Sequence, residues 1–357
     1  MQNNREKVIS YAKLLASNLQ KDGNPDFSNK ILNLLSGKGG AVVNMDQIFT
    51  PPVDQDSRMR MADIIYPGTY SENLVLPDSV SSKISYFIES YRHKDAIIKA
   101  GVDTNFSLLL YGEPGCGKTT IAKYIANELN LPLVVARFDA LVSSLLGNTS
   151  KNIRKIFEYT SSSQCILFLD ELDAIAKARD DQHELGELKR VINSLLQNID
   201  SHSQSILIGA TNHPDLLDKA IWRRFSNIIK VDRLDSKHMK SLLEIYLKDY
   251  FNDDLSEKKW TTLINALDGL SPSDVKNISY SAVTDSVIKN NNQIEYSDIL
   301  YHTFLFKNNN NYSMNNLVKF LKEHSVSIRD IAEVANTSIR QIENILNPDN
   351  NEKKLTN

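Results

Sequence analysis

Gly112-Glu113-Pro114-Gly115-Cys116-Gly117-Lys118-Thr119 follows an apolar run at residues 106–111 and opens a helical stretch at 119–129. The octet fits G-x-x-x-x-G-K-[ST]. A strand before it and a helix after it form the context in which that pattern cradles phosphate. Glycines let successive N–H groups point into one concavity, which attracts phosphate oxygens. A helix beginning near Lys118 adds the positive end of its dipole. Lys118 is then expected to reach the β- and γ-phosphates of a nucleotide, and the Thr119 hydroxyl to ligate Mg²⁺. Thr120 completes the loop's nucleotide-binding set, and Cys116 holds a variable position. The chain has only 13 glycines in 357 residues, so three of them at 112, 115 and 117 carry weight. Gly37-Lys38-Gly39-Gly40 is a decoy, since no strand precedes it and no Ser or Thr follows its lysine.

Working outward, short apolar runs at 133–136, 165–169, 206–209 and 228–231 alternate with helical stretches at 151–160 and 185–199. Alternation of this kind predicts βαβ units and a parallel sheet flanked by helices. The run Ile166-Leu167-Phe168-Leu169 ends in Asp170-Glu171. A buried strand ending in two carboxylates is the Walker B pattern. Asp170 is expected to hold the Mg²⁺ shell, and Glu171 to orient and polarise an attacking water. Both motifs lie at C-terminal ends of strands, the side on which open α/β sheets bind ligands. Asp173 reads as a cap of the helix that follows.

Composition bounds the rest. With 41 basic and 44 acidic side chains the net charge is −3, which excludes a global attraction to nucleic acid or anionic membrane. Two cysteines exclude a disulfide framework. No apolar run reaches the roughly 18 residues of a membrane span, and MQNNREKVIS has no apolar signal stretch. The expectation is a soluble, cytoplasmic protein without a membrane partner. At roughly 100–200 residues per domain the length suggests two or three domains. The pattern divides them as a helical N-terminal region at 1–75, an α/β core at 76–232, a helical lid at 233–308 and a C-terminal helical module at 309–357. Helices are expected at 6–19 and 27–35, then at about 236–250, 257–268, 272–289 and 296–306, with a last helical stretch at 317–346.

Ile206-Leu207-Ile208-Gly209-Ala210-Thr211-Asn212 is a strand ending in Thr-Asn, and Trp222-Arg223-Arg224-Phe225 follows it. With the two motifs above, this series resembles the AAA (AAA+) ATPases over about residues 76–290. The resemblance implies a P-loop NTPase core with a helical lid, bound ATP and Mg²⁺, and ATP hydrolysis. It implies that Asn212 is sensor 1, which positions the water. It implies that Arg223 and Arg224 are arginine fingers reaching the ATP of a neighbouring subunit, hence a homo-oligomeric ring, usually a hexamer. Guanidinium forks suit phosphate oxygens.

Leu270-Ser271-Pro272-Ser273-Asp274-Val275-Lys276 resembles the lid motif written Ser-Gly-Ala-Asp in relatives, with Pro272 in place of the glycine. Lys276 reads either as a phosphate sensor or as a solvated helix lysine. The pore-loop segment of relatives corresponds to Val142-Ser143-Ser144-Leu145-Leu146-Gly147-Asn148, where Leu145 stands in place of an aromatic. Leucine offers less contact area and no stacking face, which points away from strong unfolding and towards gentler remodelling of a protein client. The stretch from Gly186 to Gln197, with Asn212-His213-Pro214 and Arg223-Arg224-Phe225, looks most like bacterial AAA ATPases encoded beside subtilisin-like serine proteases. That likeness implies a protease partner and a role in phage defence or plasmid incompatibility.

The stretch from Ser325 to Leu346, with the small Ala332 and the turn Ala335-Asn336-Thr337-Ser338, resembles a helix-turn-helix. Arg340, Gln341 and Asn344 would then face the major groove of DNA. Residues 317–346 carry four basic and four acidic side chains, and neutral charge favours a packing or protein-docking element over DNA binding. The alternative to client remodelling is an ATP-switched DNA-binding regulator.

Overall fold

The computed structural model describes residues 61–69, 74–102, 104–136, 149–174, 185–202, 205–251, 255–290 and 293–347, with backbone alone at 185–190 and 249. All of them fall in the compact unit Pro52–Asn357. The expected helices at 6–19 and 27–35 and the pore-loop segment 142–148 lie outside the described residues.

The core elements run in the order β1 (Ala62–Ile65), α1 (Asp78–Arg92), α2 (Lys94–Lys99), β2 (Ser107–Tyr111), α3 (Lys118–Leu129), β3 (Leu133–Ala136), α4 (Thr149–Ser161), β4 (Ile166–Leu169), α5 (Leu185–Ser201), β5 (Ile206–Thr211), α6 (Lys219–Trp222) and β6 (Asn227–Lys230). The sheet order is β1-β3-β4-β5-β2-β6. Every pairing is parallel except β1 with β3, which is antiparallel in the register Ala62 to Ala136 and Ile65 to Leu133.

Successive strand residues point to opposite faces. Leu108, Leu110, Ile166, Phe168, Ile206 and Ile208 pack with Ile84 and Phe87 of α1 and Ile121 and Ile125 of α3. Leu109, Leu167, Leu169 and Leu207 pack on the other face with Ile153, Ile156 and Phe157 of α4 and Leu195 and Ile199 of α5. Both faces are covered, which is why these strands are continuous apolar runs rather than alternating ones.

The strand β1 lies within residues 1–75, read from sequence as a mostly helical region. It has four residues with an exposed Asp63 in the middle. Its strand character comes from pairing with β3, not from its own pattern.

Beyond β6 come α7 (Ser236–Leu247), α8 (Glu257–Ala266), α9 (Pro272–Ile288), α10 (Tyr296–Lys307), α11 (Met314–Glu323), α12 (Ile328–Val334) and α13 (Ile339–Leu346). These helices share one core: Leu243, Trp260, Leu263, Val275, Ile278, Ile299 and Leu300 are in it with Leu317, Leu321, Ile331 and Ile342. The Tyr296 hydroxyl donates to the His324 carbonyl at 2.9 Å. The last three helices are therefore packed into the lid rather than built around a core of their own.

Candidate functional site

Strands β4, β5 and β2 are adjacent and parallel, so their C-terminal ends bring Asp170, Asn212 and Gly112 to one edge of the sheet. A cavity of about 350 Å³ lies there, lined by Pro114, Gly115, Gly117, Lys118, Thr119, Thr120, Asp170, Glu171 and Asn212. The lid closes its other side with Tyr246 of α7 and Pro272, Ser273 and Lys276 of α9.

The loop has the backbone its glycines permit. Gly112 has φ +147°, and a Cβ there would overlap the Val231 carbonyl oxygen. Gly115 has φ +77°, and a Cβ there would run into Ser271 of the lid. The helix α3 starts at Lys118, so its positive end faces the cavity. The helix α9 starts at the same cavity with Pro272 at its first position, and a capping box between Ser271 and Asp274 closes its end.

Lys118 is nearly buried and donates to the carbonyls of Gly112 and Glu113, each at 2.8 Å. Two of its three N–H donors are thus placed by the loop itself. Burial, the largest influence, lowers its pKa below the usual lysine range, while Cys116, Asp170 and Asp173 oppose the shift. The Thr119 hydroxyl donates to Asp170 Oδ2 at 2.9 Å. Glu171 sits at φ +53°, a left-handed conformation that costs a non-glycine residue about 1–2 kcal/mol. Its neighbours hold it there, since Leu172 N donates to the Ala210 carbonyl and Ala174 N to the Glu171 carbonyl. Strain of this kind concentrates at functional sites.

Two of the other P-loop positions face elsewhere. Cys116 is buried in the sheet core, and burial pushes its thiol pKa up. Glu113 is paired with Arg233.

Asp173 stands directly before the helical residue Ala174, and its side chain also reaches the neighbouring strand. It is buried, and its Oδ1 accepts the Thr211 hydroxyl at 3.0 Å and the Asn212 N–H at 3.2 Å. It therefore ties the Walker B turn to the strand end that presents Asn212. The segment carrying the arginines also joins this assembly. Phe225 is buried, and a Cβ on Gly209 would collide with Phe225 and Leu172. Only a glycine lets the three motif segments meet there. Tyr111 and Trp222 pack edge to face with centroids 5.1 Å apart.

Arg223 and Arg224 do not line the cavity of their own chain, and they differ from each other. Arg224 is held: its Nη1 donates to the Ala220 carbonyl at 2.8 Å, and its Nη2 to Asp200 Oδ2 of α5 at 3.0 Å. Arg223 is exposed, and no ion pair or hydrogen bond holds its guanidinium among the described residues.

Lys276, one of whose two sequence readings is a phosphate sensor, lines the cavity, and so does Tyr246, which carries no signal in the sequence. The Lys276 ammonium lies 5.9 Å from the Tyr246 ring centroid and 5.7 Å from that of Tyr280, within the range of a cation–π contact.

A six-stranded, mostly parallel sheet with a P-loop, strand-end carboxylates and a helical lid defines a P-loop NTPase fold. The family model for the ATPase family associated with various cellular activities (AAA) matches residues 108–233. An uncharacterized AAA family ATPase, y4kL, of Sinorhizobium fredii is 37% identical over 238 residues, covering 66% of this chain and 70% of that protein. A protein of Methanothermobacter thermautotrophicus bearing the name of a 26S proteasome regulatory subunit homolog is 38% identical over 146 residues, 40% of this chain and 39% of that one. Among solved structures, the crystal structure of the FIGL-1 AAA domain matches in fold with a TM-score of 0.55 at 18% identity, covering 68% of this chain and 85% of that chain. The chain belongs to the AAA family, binds nucleotide and is an ATPase. Among the described residues no helix is long and apolar enough to cross a membrane.

Proposed function

We propose that this ATPase works as a homo-oligomeric ring, hexameric by analogy with its family, and remodels or delivers a protein client. The observation that carries this reading is the position of Arg223. The chain's own cavity collects Lys118, Lys123 and Lys276, two carboxylates and Asn212, but its exposed finger candidate lies outside it. A neighbouring copy supplying that guanidinium completes the charge balance around the phosphates.

In the cis half, Lys118 and the loop amides bind the β- and γ-phosphates. The hydroxyl of Thr119 and the carboxylate of Asp170, hard oxygen donors joined by one hydrogen bond, suit a Mg²⁺ ion. Bound Mg²⁺ would neutralise charge on the phosphates. The Glu171 carboxylate takes a proton from the attacking water, and Asn212, oriented through Asp173, holds that water in line. Arg223 acts in trans. Arg224, tied to Asp200, holds the finger segment against α5.

For the client, the name of the archaeal relative fits delivery to a protease. The likeness to ATPases encoded beside subtilisin-like serine proteases makes such a protease the partner proposed, with a cytoplasmic, antiviral defence role. DNA is the less supported partner. The helices α12 and α13 are joined by residues 335–338, and the Gln341 amide oxygen accepts from Ser338 N and Oγ, each at 3.2 Å, and from the Thr337 hydroxyl at 2.5 Å. Exposed Asp330, Glu333 and Glu343 share those two helices with Arg340 and Asn344.

The test is capture with Glu171→Gln. With ATP the variant should sediment as a ring and co-purify the product of a neighbouring reading frame, and ADP should release it. A variant that stays monomeric with ATP bound contradicts the ring, and duplex DNA binding that persists through a salt titration favours the alternative.

A further inference from the structure

Three consecutive parts of the P-loop touch the chain that leads into the lid. Gly112 lies against the backbone of Val231. The Gly115 carbonyl accepts the Ser273 N–H at 3.1 Å, at the start of α9. Between them, Glu113 Oε2 accepts Nε of Arg233 at 2.6 Å and Nη2 at 2.5 Å. The third arm of the same guanidinium, Nη1, donates to the Gly269 carbonyl. Gly269 has φ +81° and makes the turn between α8 and α9. Arg233 itself sits in residues 231–235, the connection from β6 to α7. One side chain thus holds the P-loop, the core–lid connection and the lid.

We propose that Arg233, anchored on Glu113, is a latch that sets the lid over the P-loop and controls nucleotide release. The proposal rests on the nucleotide site and not on the identity of any client. Neither partner is buried: the side chains are 44% and 59% exposed. A single exposed pair contributes little to folding. What matters is the fork geometry, which a planar guanidinium offers and a lysine does not. Its arms engage two bodies, so the latch acts on the angle between them rather than on the stability of either. Any shift of 113–115 on phosphate binding moves the Glu113 carboxylate and, through Arg233, the turn at Gly269. Hinge closure is absorbed by a few residues at element ends, the place that residues 231–235 hold between β6 and α7. Arg233 lines no part of the nucleotide cavity, so it is a positioning residue.

The test uses the full chain, stopped-flow release of a fluorescent ADP and steady-state ATPase assays. Arg233→Ala and Glu113→Ala should each speed ADP release about three- to tenfold, the scale of one lost charge-assisted fork, with KM moving more than kcat. The double variant should be no faster than either single one, because both remove the same interaction. Arg233→Lys should fall between. The exchanged pair Glu113→Arg/Arg233→Glu should recover most of the slow release. Hydrogen exchange across 269–276 should slow with ADP in the wild type, and lose that response in Arg233→Ala. Unchanged release, or single effects that simply add, would overturn the latch. If Arg233→Ala also lowers the melting point, the exchanged pair decides: stability recovered without slow release contradicts the latch. A wild-type chain that fails to bind ADP would instead overturn the nucleotide site.

Discussion

The α/β core and the helical lid meet at one cavity and bring different things to it. The core brings backbone: loop amides, a helix start, and three strand ends whose side chains are placed by parallel pairing. The lid brings a second helix start at Pro272 and the scattered side chains of Tyr246, Ser273 and Lys276. A site on strand ends is rigid, because each strand is buried on both faces. A site on a lid is adjustable, because it is joined to the core by a short connection and a few polar contacts. Chemistry that must be held within fractions of an ångström belongs on the first, and grip on the nucleotide on the second.

That division can be broken by mutation. The largest effect should come from Arg223→Ala, which removes a finger worth ~10³–10⁵ in rate. Arg224→Ala should cost less if its main partner is Asp200. Arg223→Ala subunits mixed with Lys118→Ala subunits should regain activity, since each mixed interface can pair an intact loop with an intact finger. Failure of every mixture counts against action in trans.

Next in size, Leu321→Ala should destabilise the lid by about 2–5 kcal/mol, the usual range for a buried leucine. Leu321 is fully buried in the core shared with Leu243 and Trp260, so the lid and the last three helices should melt together. Separate melting of 314–346 by hydrogen exchange would show them to be an independent module.

In the α/β core, His202 should give an acid limb. Burial lowers its pKa from 6.5 to about 4. Its Nδ1 contacts the Ser161 hydroxyl at 2.9 Å, and Nε2 has no hydrogen-bond partner among the described residues. The unfolded chain binds a proton below 6.5 and the folded chain does not until about 4. Stability is therefore fully present above pH 6.5 and falls towards pH 4, by about 3 kcal/mol for this group. His202→Gln should flatten that limb in denaturant titrations.

The smallest effect should be Lys276→Ala, raising KM by about tenfold or less with kcat nearly kept, the signature of a group that grips ground state and transition state alike. A fall in kcat with KM unchanged would move Lys276 into the chemistry.

The same division explains what the sequence disclosed. The core motifs are contiguous and stand at the ends of apolar runs, so residues 112–119 and 170–171 could be picked from pattern and spacing, and Asn212 from the family resemblance. The strand β1 could not, because a four-residue edge strand with Asp63 in it carries no signal of its own. The partners of Asp173 lie 38 and 39 positions away, and Arg233 is 120 positions from Glu113. Such pairings are set by the fold. Lys276 reads from sequence either as a phosphate sensor or as a solvated lysine, because its helix face becomes a cavity wall only once α9 docks on the loop. The strained backbone of Glu171 left no trace in residue type.

The central claim is that Glu171, held at the end of β4, activates water at this site. Glu171→Gln measured for both equilibrium ATP binding and steady-state turnover tests it directly. Binding should persist while turnover falls ~10²–10⁴-fold. Turnover equal to that of the wild-type chain would contradict the assignment.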